Sequence, residues 1–333
     1  MFWILIACQG MFACNGTDIS TPSVHDPARI IEENDQLAIY YSGIESVFVD
    51  IENGTWSLGL GHADDNPLTG EKTPSWVEGS VVANVEPNTA PAMLDAQTMY
   101  YCKADWTVDD GSACIGRATR TQGDSWTDDG NPVLCSDADS VSNGAPFAID
   151  PAVLQDGDQL WMSYGSHYSG IWLAELDPET GHVLNNASWS EEAQEYTLLA
   201  NYPSGAEENY VEAPFIYEHD GYYYLFVNWD QCCMKAESTY NIRVGRANTI
   251  KGPYLDKEGT DLREGGGSLF LGTEGNVIGP GHAGITETSE HGLLFSFHYY
   301  DGERDGEHAL GIREIYFEDG WPQLGDWKIP QPE

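Results

Sequence analysis

Short apolar runs alternate with polar turns along most of this chain, and the alternation itself repeats. Segments such as QLAIYYSG, QLWMSYGS and YYYLFVNW carry apolar or aromatic residues with a period of two and end in turn residues, the pattern of β-strands. They sit inside a longer phrase that occurs three times. The copies are DPARIIEENDQLAIYYSG from Asp26, DPAVLQDGDQLWMSYGS from Asp150 and EAPFIYEHDGYYYLFVNW from Glu212. Two weaker copies lack the acid: APAMLDAQTMYYCKA from Ala90 and GHAGITETSEHGLLFSFHYY from Gly281. The aligned residues Pro27, Pro91, Pro151, Pro214 and Ala283 lie 64, 60, 63 and 69 positions apart. A period of that size, with several strands per unit, predicts an all-β chain folded as a five-bladed β-propeller over residues 18–333. Two-residue hairpin turns are expected at Asp156-Gly157 and Asp220-Gly221. SGIWLAELD and NIRVGRANTIKGPY read as third and fourth strands of their blades. The polar inserts GHADDNPLTGEKTPS and Leu184 to Glu208 read as loops, and no stretch has a helical period.

The beginning of the chain reads differently. MFWILIACQGMFAC is apolar, and residues 1–17 are expected to be an export signal or a lipoprotein leader. Leu5-Ile6-Ala7-Cys8 resembles a bacterial lipobox, and Met11-Phe12-Ala13-Cys14 is a looser second version. No later segment reaches the 18 or so apolar residues of a membrane-spanning helix. The expected location is secreted, or lipid-anchored at the cell surface.

Charge narrows the ligand. Asp and Glu number 54 against 14 Lys and Arg, a net charge of −40 over 333 residues. A nucleic-acid groove needs the opposite sign, and anionic ligands are repelled, so a neutral ligand and an acidic, solvated monomer are expected. Seven Cys suit an exported chain. Cys102 and Cys114 flank a hairpin and are expected to bridge. Cys232 and Cys233 are adjacent and could be two thiols, a vicinal disulfide, or partners of other Cys. No C-x-x-C spacing points to zinc.

The propeller reading turns the repeated acids into a site. First strands line the axis of a propeller and run in one direction, so their starts crowd one mouth. Asp26, Asp150 and Glu212 are therefore expected in one pocket despite separations of 124 and 62 residues. Clustered carboxylates repel, which a chain tolerates when one stays protonated, a cation intervenes, or the group works. Blades three and four are neighbours, so Asp150 should raise the pKa of Glu212 and keep it available as a general acid. Asp26 stands two blades from Glu212, a gap that suits a base activating water. Hydrolysis of a glycosidic bond with inversion needs such a pair at roughly 6.5–9.5 Å.

Val24-His25-Asp26-Pro27, Ala148-Ile149-Asp150-Pro151, Glu212-Ala213-Pro214 and Gly279-Pro280-Gly281-His282 occur here in order. So do Cys232-Cys233 with STYNIRVGRANTIKGPY, and HYYDGERDG with IREIYFEDGWPQL. In this ordered set the chain resembles glycoside hydrolase family 43, and within it the endo-1,5-α-L-arabinanases, from Val24 to near Trp321. The resemblance implies a five-bladed propeller that inverts, with Asp26 as general base, Glu212 as general acid and Asp150 tuning and orienting the acid. It implies a calcium ion on His282. It implies substrate contacts from Ser166, His167 and Tyr168 within residues 165–171, where the family usually has an aromatic pair. His25 is expected to line the same pocket and brace Asp26. Two departures stand out: Thr89-Ala90-Pro91-Ala92 replaces a Trp-Ala-Pro-acid start, and Phe147 stands where Asn is usual. Both remove expected sugar contacts. The expected substrate is a neutral plant cell-wall polysaccharide, arabinan or its oligosaccharides. The rivals are an α-L-arabinofuranosidase or β-xylosidase on the same scaffold, and a non-catalytic carbohydrate-binding propeller.

Overall fold

The structure, a computed structural model, describes residues 22–33, 35–58, 89–104, 111–121, 126–206 and 208–331. The leader at 1–17, with Cys8 and Cys14, and the insert at 61–75 lie outside the described residues.

Five antiparallel sheets follow one another along the chain, four of them simple meanders of four strands and the second with a fifth strand. Blade one is Ile31–Glu33, Gln36–Tyr41, Glu45–Asp50 and Thr55–Leu58. In blade two, Thr89–Asp95, Thr98–Ala104 and Ala113–Thr119 are followed by Thr127–Asp128 and Leu134–Ser136, which both pair with the third strand. Blade three is Ala152–Asp156, Gln159–Tyr164, Ile171–Leu176 and Tyr196–Ala200. Blade four is Val211–His219, Tyr222–Trp229, Asn241–Ala247 and Ser268–Leu271. Blade five is Val277–Thr288, Gly292–Asp301, Glu307–Glu318 and Trp321–Trp327. The five-bladed β-propeller predicted from the repeat is the observed fold.

The period of two explains why the sheets stack. In Tyr222–Trp229, Leu225, Val227 and Trp229 pack with Trp161, Ile171 and Leu173 of blade three. The alternate residues Tyr224 and Phe226 pack with Phe295 and Phe297 of blade five. Both faces of the inner strands are apolar, so each sheet is buried on two sides. The core is accordingly five clusters, one between each pair of neighbouring blades. The cluster between blades five and one closes the ring: Val24, Ile30 and Ile39 meet Leu294, Leu310 and Ile329. The Leu310 N–H donates to the Pro22 carbonyl at 3.1 Å across the same seam.

Several local expectations change. The turn at Asp220-Gly221 is present, with both residues at positive φ (50° and 77°) as a two-residue hairpin requires. In blade three Asp156 pairs with Gln159, so the turn is Gly157-Asp158, one residue later than expected. Both SGIWLAELD and NIRVGRANTIKGPY supply third strands. The expected loop from Leu184 to Glu208 contains a fourth strand, Tyr196–Ala200, whose Leu199 and Ala200 are buried against blade four.

The expected Cys102–Cys114 bridge is not made. Cys114 pairs with Cys135 on the strand beside it, and Cys102 is a free, buried thiol. Register explains this: Lys103, not Cys102, lies opposite Cys114, while Cys135 is directly across. Burial, then the charge of Asp150, pushes the Cys102 thiol up to about 12, so it stays neutral and inert. Cys232 and Cys233 form a vicinal disulfide. The Cys114–Cys135 bridge closes a loop of 21 residues. Replacing both by Ser should lower unfolding stability by about 3 kcal/mol in urea titration; an unchanged midpoint would contradict the pairing.

Candidate active site

Each blade delivers its channel-lining residue through the same backbone kink. Asp26, Ala90, Asp150, Ala213 and His282, the residues before Pro27, Pro91, Pro151, Pro214 and Ala283, all have left-handed φ, at 48°, 43°, 53°, 49° and 60°. Non-glycine residues adopt this conformation rarely and at a cost of about 1–3 kcal/mol, so its fivefold recurrence is imposed by the ring. In blades two, four and five the kink coincides with a shift in strand register, at Thr89/Ala92, Glu212/Phe215 and Gly281/Gly284. Pro27, Pro91, Pro151, Pro214 and Ala283 then face one another around a channel cavity of ≈ 20 Å³. Glu212 is the exception among the acids. It lies one residue before the kink, in register with His25 and Ile149, and its blade places Ala213 at the kink.

Asp26 is held as an anion. His25 Nδ1 lies 3.0 Å from Asp26 Oδ2, His282 Nδ1 lies 3.4 Å from Oδ1, and the Ser42 hydroxyl donates to Oδ2 at 2.7 Å. Burial alone would raise its pKa. The charge and hydrogen bond of His25, then the bond and charge of His282, outweigh burial and hold the carboxyl well below its usual range. His25 is raised in return, its burial outweighed by the Asp26 charge and hydrogen bond. Its ring stacks on His298 at 4.5 Å and tilts against His308 at 4.2 Å. Those two stay neutral: burial and then the charge of His25 push His298 well down and His308 to about 4. The Asp26 side chain remains 19% exposed, so this deeply set base still meets solvent.

Asp150 stands in the opposite regime. Burial, then the charge of Glu212, then that of Asp26, lift the Asp150 carboxyl well above its usual range. The repulsion expected between neighbouring blades is present, but it is Asp150 that it lifts, where the sequence expectation put the rise on Glu212; Asp150 also accepts from the Ala213 N–H. Glu212 is buried, accepts from the Ser166 hydroxyl at 2.6 Å, and has His167 Nε2 at 3.5 Å from the same oxygen. Tyr240 hydrogen-bonds Glu212 as well. Burial, then the charges of Glu212 and Asp150, that hydrogen bond, and Asp26 raise the phenol well above its ordinary value. Asp26 and Glu212 therefore both act on Asp150.

The other predicted residues divide by position. Ser166 touches the acid and His25 the base. Tyr168 stands at the mouth, 38% exposed, with its ring edge-on to Phe147 at 5.5 Å. The Phe147 departure thus braces Tyr168, and Thr89 contacts the thiol of Cys102 at 3.2 Å. Ser42, Tyr240, His298 and His308 were not singled out from the sequence. Ser42 had a signal: it follows the second strand of blade one just as Ser166 follows that of blade three, and both hydroxyls reach an acid.

The calcium implied at His282 meets a donor set of the wrong kind. His282 offers one ring nitrogen, its backbone N–H donates to Asn228 Oδ1 at 2.9 Å, and the carboxylate beside it is Asp26. Calcium takes six to eight oxygens. His25, Asp26 and His298 do place ligand atoms within 4.8 Å of one another. Two of those atoms are already used, since His298 Nδ1 accepts the Asp26 N–H at 3.1 Å and His25 Nδ1 faces Asp26. These residues do not fit a chain-built calcium cage.

Residues 63–322 match the profile of Glycosyl hydrolases family 43. The chain belongs to that family. It is 32% identical over 268 residues to a probable arabinan endo-1,5-α-L-arabinosidase B of Aspergillus flavus, covering 71% of this chain and 73% of that one. It is 36% identical over 185 residues to the extracellular exo-α-(1→5)-L-arabinofuranosidase ArbA of Cellvibrio japonicus. That alignment covers 55% of this chain and about half (53%) of the relative. Among solved structures, an exo-1,5-α-L-arabinanase from a bovine ruminal metagenomic library superposes with a TM-score of 0.79 at 28% identity, over 93% of this chain and 99% of that one.

The raised Asp150 has a consequence for stability. A carboxyl whose folded pKa exceeds its unfolded value penalises folding as pH rises above the unfolded pKa, about 3.9. Asp150→Asn should therefore raise stability at pH 7, with the gain vanishing below roughly pH 4. Thermal unfolding across that range checks it; a variant less stable than wild type at pH 7 would refute the assignment.

Proposed function

We propose that this chain is an inverting arabinan endo-1,5-α-L-arabinosidase, with Asp26 as base, Glu212 as acid and Asp150 positioning the acid and holding a proton beside it. The reading is carried by one observation: carboxyl groups at a single mouth are driven in opposite directions, Asp26 down and Asp150 up. A carboxyl held ionised suits the base, and a protonated neighbour beside Glu212 suits the positioning role given to Asp150. Asp26 takes a proton from water as that water attacks the anomeric carbon. Glu212 gives its proton to the departing glycosidic oxygen, and the bond breaks through an oxocarbenium-like state. A sugar-binding protein without catalysis has no need of a carboxyl held ionised opposite one held protonated.

The substrate follows from the family relatives, whose printed names specify α-1,5-linked L-arabinan or its units. A neutral polysaccharide also suits a chain of net charge −40. Exo action is the second reading, favoured by the names of the Cellvibrio and ruminal relatives; the length of the first products released distinguishes it. Export through the 1–17 leader, a lipid on Cys8 or Cys14, and a monomeric state complete the proposal. The extracellular Cellvibrio relative supports export.

On linear arabinan, Glu212→Gln and Asp26→Asn should each lower kcat by about 10²–10⁴-fold with the fold intact by circular dichroism. A wild-type protein that releases no sugar from any pentose polymer would sink the reading.

Calcium is carried forward on the resemblance alone. His282 would hold the ion through one nitrogen and water would supply the other ligands, so no catalytic step is routed through it. After EDTA dialysis, millimolar calcium should raise the Tm of wild type but not of His282→Ala. A wild-type Tm indifferent to calcium removes the ion from the proposal.

A further inference from the structure

Resting on that reading, an inverting site must be reset after every turnover. Glu212 ends one proton short and Asp26 one proton over, and the difference passes through solvent. Asp26 meets solvent directly, with 19% of its side chain exposed. Glu212 is more enclosed at 10%, and its neighbours Ser166 and Tyr240 carry hydroxyls that do not titrate near neutral pH. One side chain joins its carboxylate to water. His167 is 45% exposed, yet its Nε2 lies 3.5 Å from Glu212 Oε2.

The backbone places His167 there on purpose of shape rather than by side-chain contacts. The turn between Gln159–Tyr164 and Ile171–Leu176 runs through four positive φ values: Gly165 at 122°, His167 at 51°, Tyr168 at 37° and Gly170 at 87°. Two of these are non-glycine residues in a strained conformation, the kind retained where geometry serves function. The turn is pinned to blade four by an isolated bridge between Ser166 and Glu212 and by the His167 N–H donating to the Val211 carbonyl at 2.9 Å. The groups facing His167 are the Glu212 carboxyl and the Tyr210 ring, edge-on at 5.5 Å. Asn209 donates to the neighbouring Tyr168 carbonyl, and Asp150 and Tyr240 stand behind Glu212.

We propose that His167 is a positioning residue that re-protonates Glu212 between turnovers, rather than a substrate contact. Its solvent-side nitrogen takes a proton from water while the proton on Nε2 passes to Glu212 Oε2. The neutral imidazole then exchanges tautomer through solvent, and Asp26 returns its proton to water, so charge and atoms balance. Imidazole suits this role because its ordinary pKa lies near neutrality.

The test compares wild type with His167→Gly and His167→Asn on linear arabinan, with and without millimolar imidazole. Both replacements tolerate left-handed φ, so the turn is kept. The expected result is a fall in kcat of roughly 10-fold or more, steepest toward alkaline pH, with KM within about 2-fold. Added imidazole should restore kcat to His167→Gly. An unchanged kcat, an effect confined to KM, full activity in His167→Asn, or a loss that imidazole does not repair while circular dichroism is native would each overturn the assignment. A wild-type enzyme inactive on arabinan would instead overturn the functional reading beneath it.

Discussion

Repulsion among the carboxylates of Asp26, Asp150 and Glu212 is the interaction to which the rest of this molecule answers. Each acid is set deep among protein atoms, where charge is poorly screened and like charges interact strongly. The chain relieves the conflict unevenly. Asp26 gains imidazoles on both oxygens and the Ser42 hydroxyl, and it stays ionised. Asp150 accepts one N–H, from Ala213, against burial and the charges of Glu212 and Asp26, and keeps its proton. That asymmetry marks the base side of a nearly symmetric ring at Asp26 and leaves a protonated neighbour beside Glu212.

Such an arrangement survives only if the blades cannot drift apart. The five apolar clusters between neighbouring sheets supply that constraint, and the seam between blades five and one matters most because it fixes Asp26 relative to the other two acids. His298, from blade five, accepts the backbone N–H of Asp26 and so ties the base to the far side of the seam. The repeated left-handed kink is the local expression of the same constraint. It turns each first strand into the channel at the point where a functional side chain is needed, in blades one, three and five directly and in blade four by an offset of one residue.

Much of this was legible in the amino-acid order because the repeat is explicit. A period-two strand pattern at spacings of 60 to 69 residues specified five blades, and the blade numbers of the acids specified who neighbours whom. What stayed hidden depended on register and on the partners of short side chains. Cys114 looks toward Cys102 in sequence, but a one-residue register difference puts Lys103 across from it and leaves Cys135 as the partner. Tyr196–Ala200 was lost inside a polar run because a five-residue outer strand carries little pattern of its own. Ser42, Tyr240 and His298 reach the acids from within or just beside second and third strands, where nothing in a single sequence separates a pocket residue from a core one. His167 was legible as a site residue, but its place beside Glu212 needed the geometry.

The account stands or falls on Asp26 and Glu212 acting from opposite sides of the scissile bond. Proton NMR of the first sugar released from linear arabinan, recorded before mutarotation, reads this directly. The account predicts β-configured product from the α-linkage; α-configured product at the earliest times would contradict it.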